Sequence, residues 1–438
     1  MSRSVLMLEF NELSPMLMER FIVAGKLPGF QQLREGSSTF ITEAGEDGER
    51  LNPWVQWVTV HTGATAQEHG IAQLGEAHQL QLPTIADVVS AAGGSVWLCG
   101  SMNVQPIGPV SGYLLPDPWS VAATPQPAEL APYFRFVSAN VQEHTNDAIP
   151  LSRRETVAFA RFLATHGLSA ATTMATVAQL AGERIGRAAR WQRAELLDRF
   201  QWDVFRSLHR RIRPTFSTFF SNSTAHFQHL HWDEIDHAPN ASAVLHGYQQ
   251  MDRLVRKALV LAGHDTTVVL CTGLSQTANR DADRSREGFY RPKDLGVLAD
   301  VLHLEGVEST SPVMAEQSHM FFVDTDAARR GAAVLEGVTS GGDEAFTVRR
   351  QGHDVFVGCR FFTPRELDEP LDQLLYWTDA PREGAHHPDG ILWIRDGSAG
   401  RADTRVPLTS VAPTILTLLG LEPAASMRAE PLLADHRS

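Results

Sequence analysis

Cysteine is scarce in this chain. There are three in 438 residues, Cys99, Cys271 and Cys359, each set in its own apolar run (SVWLCG, TVVLCTG and DVFVGCRFF). That excludes a fold built on disulfides and reads as buried, reduced thiols in a reducing compartment, so the expected location is the cytoplasm. Clustered positive charge is lacking as well: 38 Lys and Arg stand against 51 Asp and Glu, a formal net charge of −13. The most basic stretch, 184–213, is interrupted by Glu195, Asp198 and Asp203 at helical spacing. It reads as a solvated helix face, and no nucleic-acid partner is expected. No apolar run is long enough for a membrane span, and the first one stops at Phe10 without a small-residue cleavage site after it, so neither signal peptide nor membrane partner is expected. Internal repeats and low-complexity tracts are also missing. What the chain does have is 43% hydrophobic and 20% charged residues, enough for one large core or two modest domains.

Short all-apolar runs bounded by polar residues predict strands buried on both faces of a parallel sheet. They fall at SVLMLEF (4–10), TFSTFFSNS (215–223), TTVVLCTG (266–273) and DGILWIRDG (389–397). Between them lie helical patterns: Leu17, Phe21, Leu27, Phe30 and Leu33 within 15–33, and Trp54, Trp57, Val58 and Val60 on a helix that Asn52 should cap with Pro53 in its first position. The stretch 82–103 reads as helix, glycine stop, strand. Strands alternating with helices over this length predict an α/β fold with a mostly parallel central sheet flanked by helices. Two stretches read as additions: an Ala- and Arg-rich helical insertion at 150–213, and a small α/β cap at 290–365 with a hairpin around Gly352. The core is then expected in three pieces, 1–149, 214–289 and 366–438.

Five segments, in order, carry a family resemblance: VLMLEFNELSP with GKLPGFQQL; WVTVHTGATAQEHGI; TAHFQHLHW followed by GYQQMDRLVRKAL; VVLCTGLSQ; and GAHHPDGILWIRDG closed by VPLTSVAPTILTLLGLEP. From end to end the chain resembles the alkaline phosphatase superfamily, in particular its type I phosphodiesterase and nucleotide pyrophosphatase branch. The resemblance implies an alkaline phosphatase-like fold. It also implies a site at the C-terminal edge of the sheet, where two metal ions held by six Asp and His ligands activate a Thr or Ser nucleophile.

Position by position, the site departs from that pattern. The first metal-binding Asp falls on Asn11. The nucleophile falls on Pro53 or, with a slip of one or two residues, on Asn52 or Leu51. An Asp four residues before a His becomes Ala225 before His229, and an adjacent Asp-His pair becomes Gly273 and Leu274. His386 stands where the last metal-binding His belongs, and Gln56 aligns with an amide that hydrogen-bonds a phosphoryl oxygen. His229 and His386 therefore survive from one metal position and nothing survives from the other.

The expected strand-end residues are Glu9, Asn11, Glu12, Gln56, His61, His226, His229, His231, Ser275, Gln276, His386 and His387. Strand periodicity puts Glu9 on the same side as Asn11 and makes Glu12 a surface or capping residue. His61 reads as a structural residue of a core helix, and His69 as one that orders the loop behind it. Asn11, Gln56, His229 and His386 are the candidate catalytic residues. Glu9, Asn52, His226, Ser275, Gln276 and His387 are the candidate substrate contacts. His229 and His386 could hold one divalent metal, zinc first, with a third ligand to come from Glu9, His226, His231 or His387. Two mechanisms stay open: water activated by that metal, or metal-free acid/base work by the two histidines with Asn11 and Gln56 as neutral donors. The expected function is a divergent hydrolase or group-transfer enzyme for an anionic phosphorylated or sulfated small molecule. The alternative is a pseudoenzyme that binds a ligand or serves as a scaffold. The helical insertion at 150–213 could act as a cap over the site, make a homo-oligomer interface, or be purely structural.

Overall fold

A computed structural model describes residues 4–120, 123–143, 152–237, 242–280, 288–380, 382–395 and 404–432. The chain divides into two compact units. The first comprises Met1–Val137, Ser152–Ala278 and Gly384–Ser438, and the second Ser138–Leu151 and Asn279–Glu383.

The first unit is built on an eight-stranded sheet. From edge to edge its strands are Thr404–Pro407, Ser38–Glu43, Asp389–Arg395, Thr266–Cys271, Ser4–Phe10, Phe216–Ser221, Val96–Cys99 and Gly112–Leu115. All run parallel except Asp389–Arg395, which is antiparallel to both neighbours. The fold is therefore α/β with a mostly parallel sheet. Ser4–Phe10 lies at its centre and is buried along all but its first residue, which explains why apolar residues occupy both of its faces. Glu9 is the exception in that run.

Helices cover the sheet. The single helical stretch expected over 15–33 is two helices, Pro15–Val23 and Pro28–Glu35. The break falls at Gly25, whose φ is +68°, and the second helix restarts with Pro28 in its first turn. Pro53–Thr62 is a helix with Asn52 in the N-cap position, but the Asn52 side chain does not bond the helix N-terminus, contrary to the expectation. The stretch 150–213 contributes the helices Arg153–Thr165, Ala170–Arg184 and Arg193–Ile212. Among the described residues no helix is long and apolar enough to cross a membrane, and all three cysteines are buried and free.

The second unit has its own core around Leu298, Met320, Phe322, Leu335 and Val355. Its antiparallel sheet runs Phe346–Gln351, Asp354–Cys359, Gln317–Phe322, Val307–Pro312, and helix Thr325–Glu336 packs against it. The first two strands form the hairpin expected around Gly352, which takes the left-handed φ of +58° that such a turn requires.

Candidate functional site

In open α/β sheets ligands bind outside the carboxyl ends of the strands. Here the central strand Ser4–Phe10 ends level with Phe216–Ser221, so that Asn11 and Asn222 become neighbours. The Asn11 N–H donates to the Ser221 carbonyl at 3.0 Å, and the Glu12 N–H donates to Thr272 at 3.2 Å. At Glu12 the chain leaves the strand direction with φ +61°. A left-handed conformation costs a non-glycine residue about 1–3 kcal/mol, so something must hold it.

That turn redirects the Glu12 side chain into the interior of the strand-end cluster. Its carboxylate, 2% exposed as a residue, lies with Oε2 3.2 Å from His229 Nε2 and 3.4 Å from His386 Nε2. The expectation of a surface or capping residue is overturned. Burial alone would push the Glu12 carboxyl up; the charges of His386 and His229 outweigh burial and hold it well below the usual carboxylate range.

Three separate elements converge on this point. His229 lies on helix Ser223–His231. His386 lies in the two-stranded antiparallel ribbon of Ser275–Ala278 with Gly384–His387, directly opposite Gln276. Ligand atoms of Glu12, His229 and His386 all lie within 4.8 Å of one another, close enough for one metal ion.

The surroundings orient each of these groups. His229 Nδ1 bonds the Gly384 carbonyl at 3.1 Å; a carbonyl only accepts, so Nδ1 carries the proton and Nε2 faces the centre. Gln276 Nε2 donates to Glu12 Oε2 at 2.5 Å, and Asn11 Nδ2 donates to Glu12 Oε1 at 2.7 Å. The approach between helix and ribbon is tight. A Cβ on Gly384 would lie 2.4 Å from Gln276 Oε1 and 2.5 Å from the Gln228 carbonyl oxygen, so only glycine fits.

The space around Asn11 and Gly273 is filled by packed side chains. Trp57 Nε1 donates to Asn11 Oδ1 at 2.7 Å, which fixes the Asn11 amide with its NH2 toward Glu12 and Asn222. Gly273 lies against the same indole: a Cβ there would come within 3.3 Å of the ring. Leu274 is fully buried in a small apolar cluster with Ala44 and Leu51.

Glu9 and Asn11 do point the same way, as strand periodicity required, but that side is the helix Pro53–Thr62. Asn11 meets Trp57, and two residues back Glu9 bonds His61 Nε2 at 2.7 Å, one helical turn along, with both side chains fully buried. Glu9 is thereby removed from the Glu12 group. His61 is a core residue, and His69, accepting from the Ile71 N–H at 3.1 Å and lying 3.3 Å from Thr59 Oγ1, orders the loop behind the helix.

The remaining candidates divide. Gln276 joins the centre, whereas Ser275 is buried opposite His387, and His387 Nδ1 accepts from the Asp389 N–H at 3.2 Å. His226 is exposed and lies outside the converging group. His231 pairs with Glu234 at 2.8 Å and supplies no ligand atom to it. Gln56 is fully buried with its NH2 on the Arg50 carbonyl at 3.1 Å, and Asn52 sits at the start of the same helix.

No protein-family model and no curated protein sequence matches the chain. Its backbone is similar to solved structures that include the following two. One is phosphonoacetate hydrolase from Sinorhizobium meliloti 1021 in complex with phosphonoacetate, at 12% identity over 95% of this chain and 96% of that one, with a TM-score of 0.46. The other is an inactive form of murine ectonucleotide pyrophosphatase/phosphodiesterase 5 in complex with AMP, at 9% identity over 96% of each chain and the same TM-score of 0.46.

Proposed function

We propose that the protein is a single-metal hydrolase of the alkaline phosphatase type, acting on a small anionic ester, phosphorylated or sulfated. The observation that carries this reading is the convergence of Glu12, His229 and His386 beside a position filled by Trp57 and Leu274. Two imidazole nitrogens and one carboxylate oxygen are a donor set of catalytic zinc sites, which leave a fourth position for water or substrate. Bound there, zinc would lower the pKa of that water and polarise the ester oxygen.

The chain's own residues then have defined parts. Glu12, His229 and His386 hold the ion. Gln276 and Asn11 fix the carboxylate, and the Gly384 carbonyl fixes the His229 tautomer. Asn11 has both amide hydrogens engaged, by Glu12 and Asn222, so its role is to position Glu12 and not to touch substrate. Leu51, Asn52 and Pro53 offer no hydroxyl, which leaves water as the nucleophile.

One observation favours a second reading. Glu12 Oε2 already lies 3.2 Å and 3.4 Å from the two imidazole Nε2 atoms, and such a closed group could stand as a structural anchor in a non-catalytic binding protein. A panel of 4-nitrophenyl phosphate, bis(4-nitrophenyl) phosphate and 4-nitrophenyl sulfate, assayed with added zinc, separates the two. Zinc-dependent turnover that disappears in Glu12→Gln is expected. Zinc bound at the centre with no turnover of any panel ester would transfer the case to the binding reading.

A further inference from the structure

The backbone at Glu12 needs holding, and the means are two side chains that are not ligands, Gln228 on the helix that carries His229 and Tyr248 on helix Ala243–Ala262. The Glu12 carbonyl accepts from Gln228 Nε2 at 2.7 Å. The other end of that amide, Gln228 Oε1, accepts from the Tyr248 hydroxyl at 2.7 Å, and the same hydroxyl oxygen accepts from the Ser14 N–H at 2.7 Å. The segment from Glu12 to Ser14 is therefore clamped at both ends by one chain of hydrogen bonds. Gln228 and Tyr248 are fully buried, and burial pushes the Tyr248 hydroxyl's pKa up, so it stays protonated and keeps its donor role. Tyr248 is further braced edge-on by Phe21, with ring centroids 5.2 Å apart.

Neither residue contacts a ligand atom, yet the arrangement has a specific consequence. Gln228 immediately precedes His229 on its helix, so one side chain ties the backbone of one ligand residue to the element that carries another. If the clamp opens, Glu12 can relax toward an extended conformation, and strand alternation would then swing its carboxylate off the imidazoles. We infer that Tyr248 and Gln228 are positioning residues that set the Glu12 carboxylate for metal binding. This rests on reading Glu12, His229 and His386 as a metal centre.

The test uses the full chain and zinc alone. Zinc affinity is measured by competition with a chromophoric chelator for the wild type, Gln228→Leu and Tyr248→Phe, together with the melting temperature of each metal-free protein and the visible spectrum of each cobalt(II)-loaded one. Loss of a supporting residue should weaken zinc binding roughly 10–100-fold and alter the cobalt spectrum. A merely structural role would lower the melting temperature and leave affinity and spectrum unmoved. If Gln228→Leu fails to fold, Tyr248→Phe, which removes a single oxygen, decides alone. Zinc affinity within about twofold of wild type in the folded variants would overturn the inference while leaving the metal centre intact. A wild-type protein that binds no zinc would overturn both.

Discussion

The half of the strand-end site around His229 and the half around Asn11 are built from adjoining strand ends, yet they are assembled differently. In the first, the helix position four residues before His229 is Ala225, and the carboxylate that meets both histidines comes from Glu12, on a different element. In the second, an indole bonds the amide at the strand end and a leucine fills the neighbouring space. The difference teaches that adjoining strand ends of one sheet can carry an ionisable cluster on one side and core packing on the other. One half gathers a carboxylate by a turn of backbone; the other is core.

The largest effect should come from emptying the first half. Glu12→Ala leaves two imidazoles and no carboxylate, and zinc affinity should fall by more than the roughly 100-fold that a supporting residue can cost, read by chelator competition. Next comes the second half treated as core. Trp57 is fully buried and meets Phe220 edge-on with centroids 5.5 Å apart, so Trp57→Ala should cost about 3–5 kcal/mol in denaturant unfolding. Metal stoichiometry should not rise with it, because the cavity it opens offers no charged ligand.

A smaller effect probes the approach between elements. Gly384→Ala forces a methyl against Gln276 and the Gln228 carbonyl and should cost about 1–3 kcal/mol, with zinc affinity weakened because helix and ribbon are pushed apart. A loss of stability with affinity unchanged would mean that the strain is absorbed away from the centre. The smallest effect is none at all: Pro53→Thr should yield no hydrolysis of bis(4-nitrophenyl) phosphate beyond the wild-type rate. A gain there would show that the packed half can still support a nucleophile.

Much of the fold is legible in the sequence because buried strands announce themselves as apolar runs, and the four expected runs hold the sheet strands Ser4–Phe10, Phe216–Ser221, Thr266–Cys271 and Asp389–Arg395. The two histidines that converge were legible through their spacing within a family pattern. Glu12 was not. Alternation along a strand assumes extended backbone, and the left-handed step at Glu12 breaks that assumption within one residue of the strand's end. Nor could sequence show that Trp57 would reach across to Asn11, since both the indole and the amide have ordinary structural uses. Glu9 illustrates the converse: its direction followed correctly from periodicity, but its partner, His61, is supplied by a helix whose placement only the folded chain defines.

The most direct test of the account is a metal count on protein purified without chelator and without an affinity-tag metal, by elemental mass spectrometry, for the wild type and for His229→Ala with His386→Ala. One divalent ion per chain in the wild type, and none in the double variant, is the predicted result. Two ions per chain would contradict the closing of the second position by Trp57 and Leu274, and none would contradict the metal centre itself.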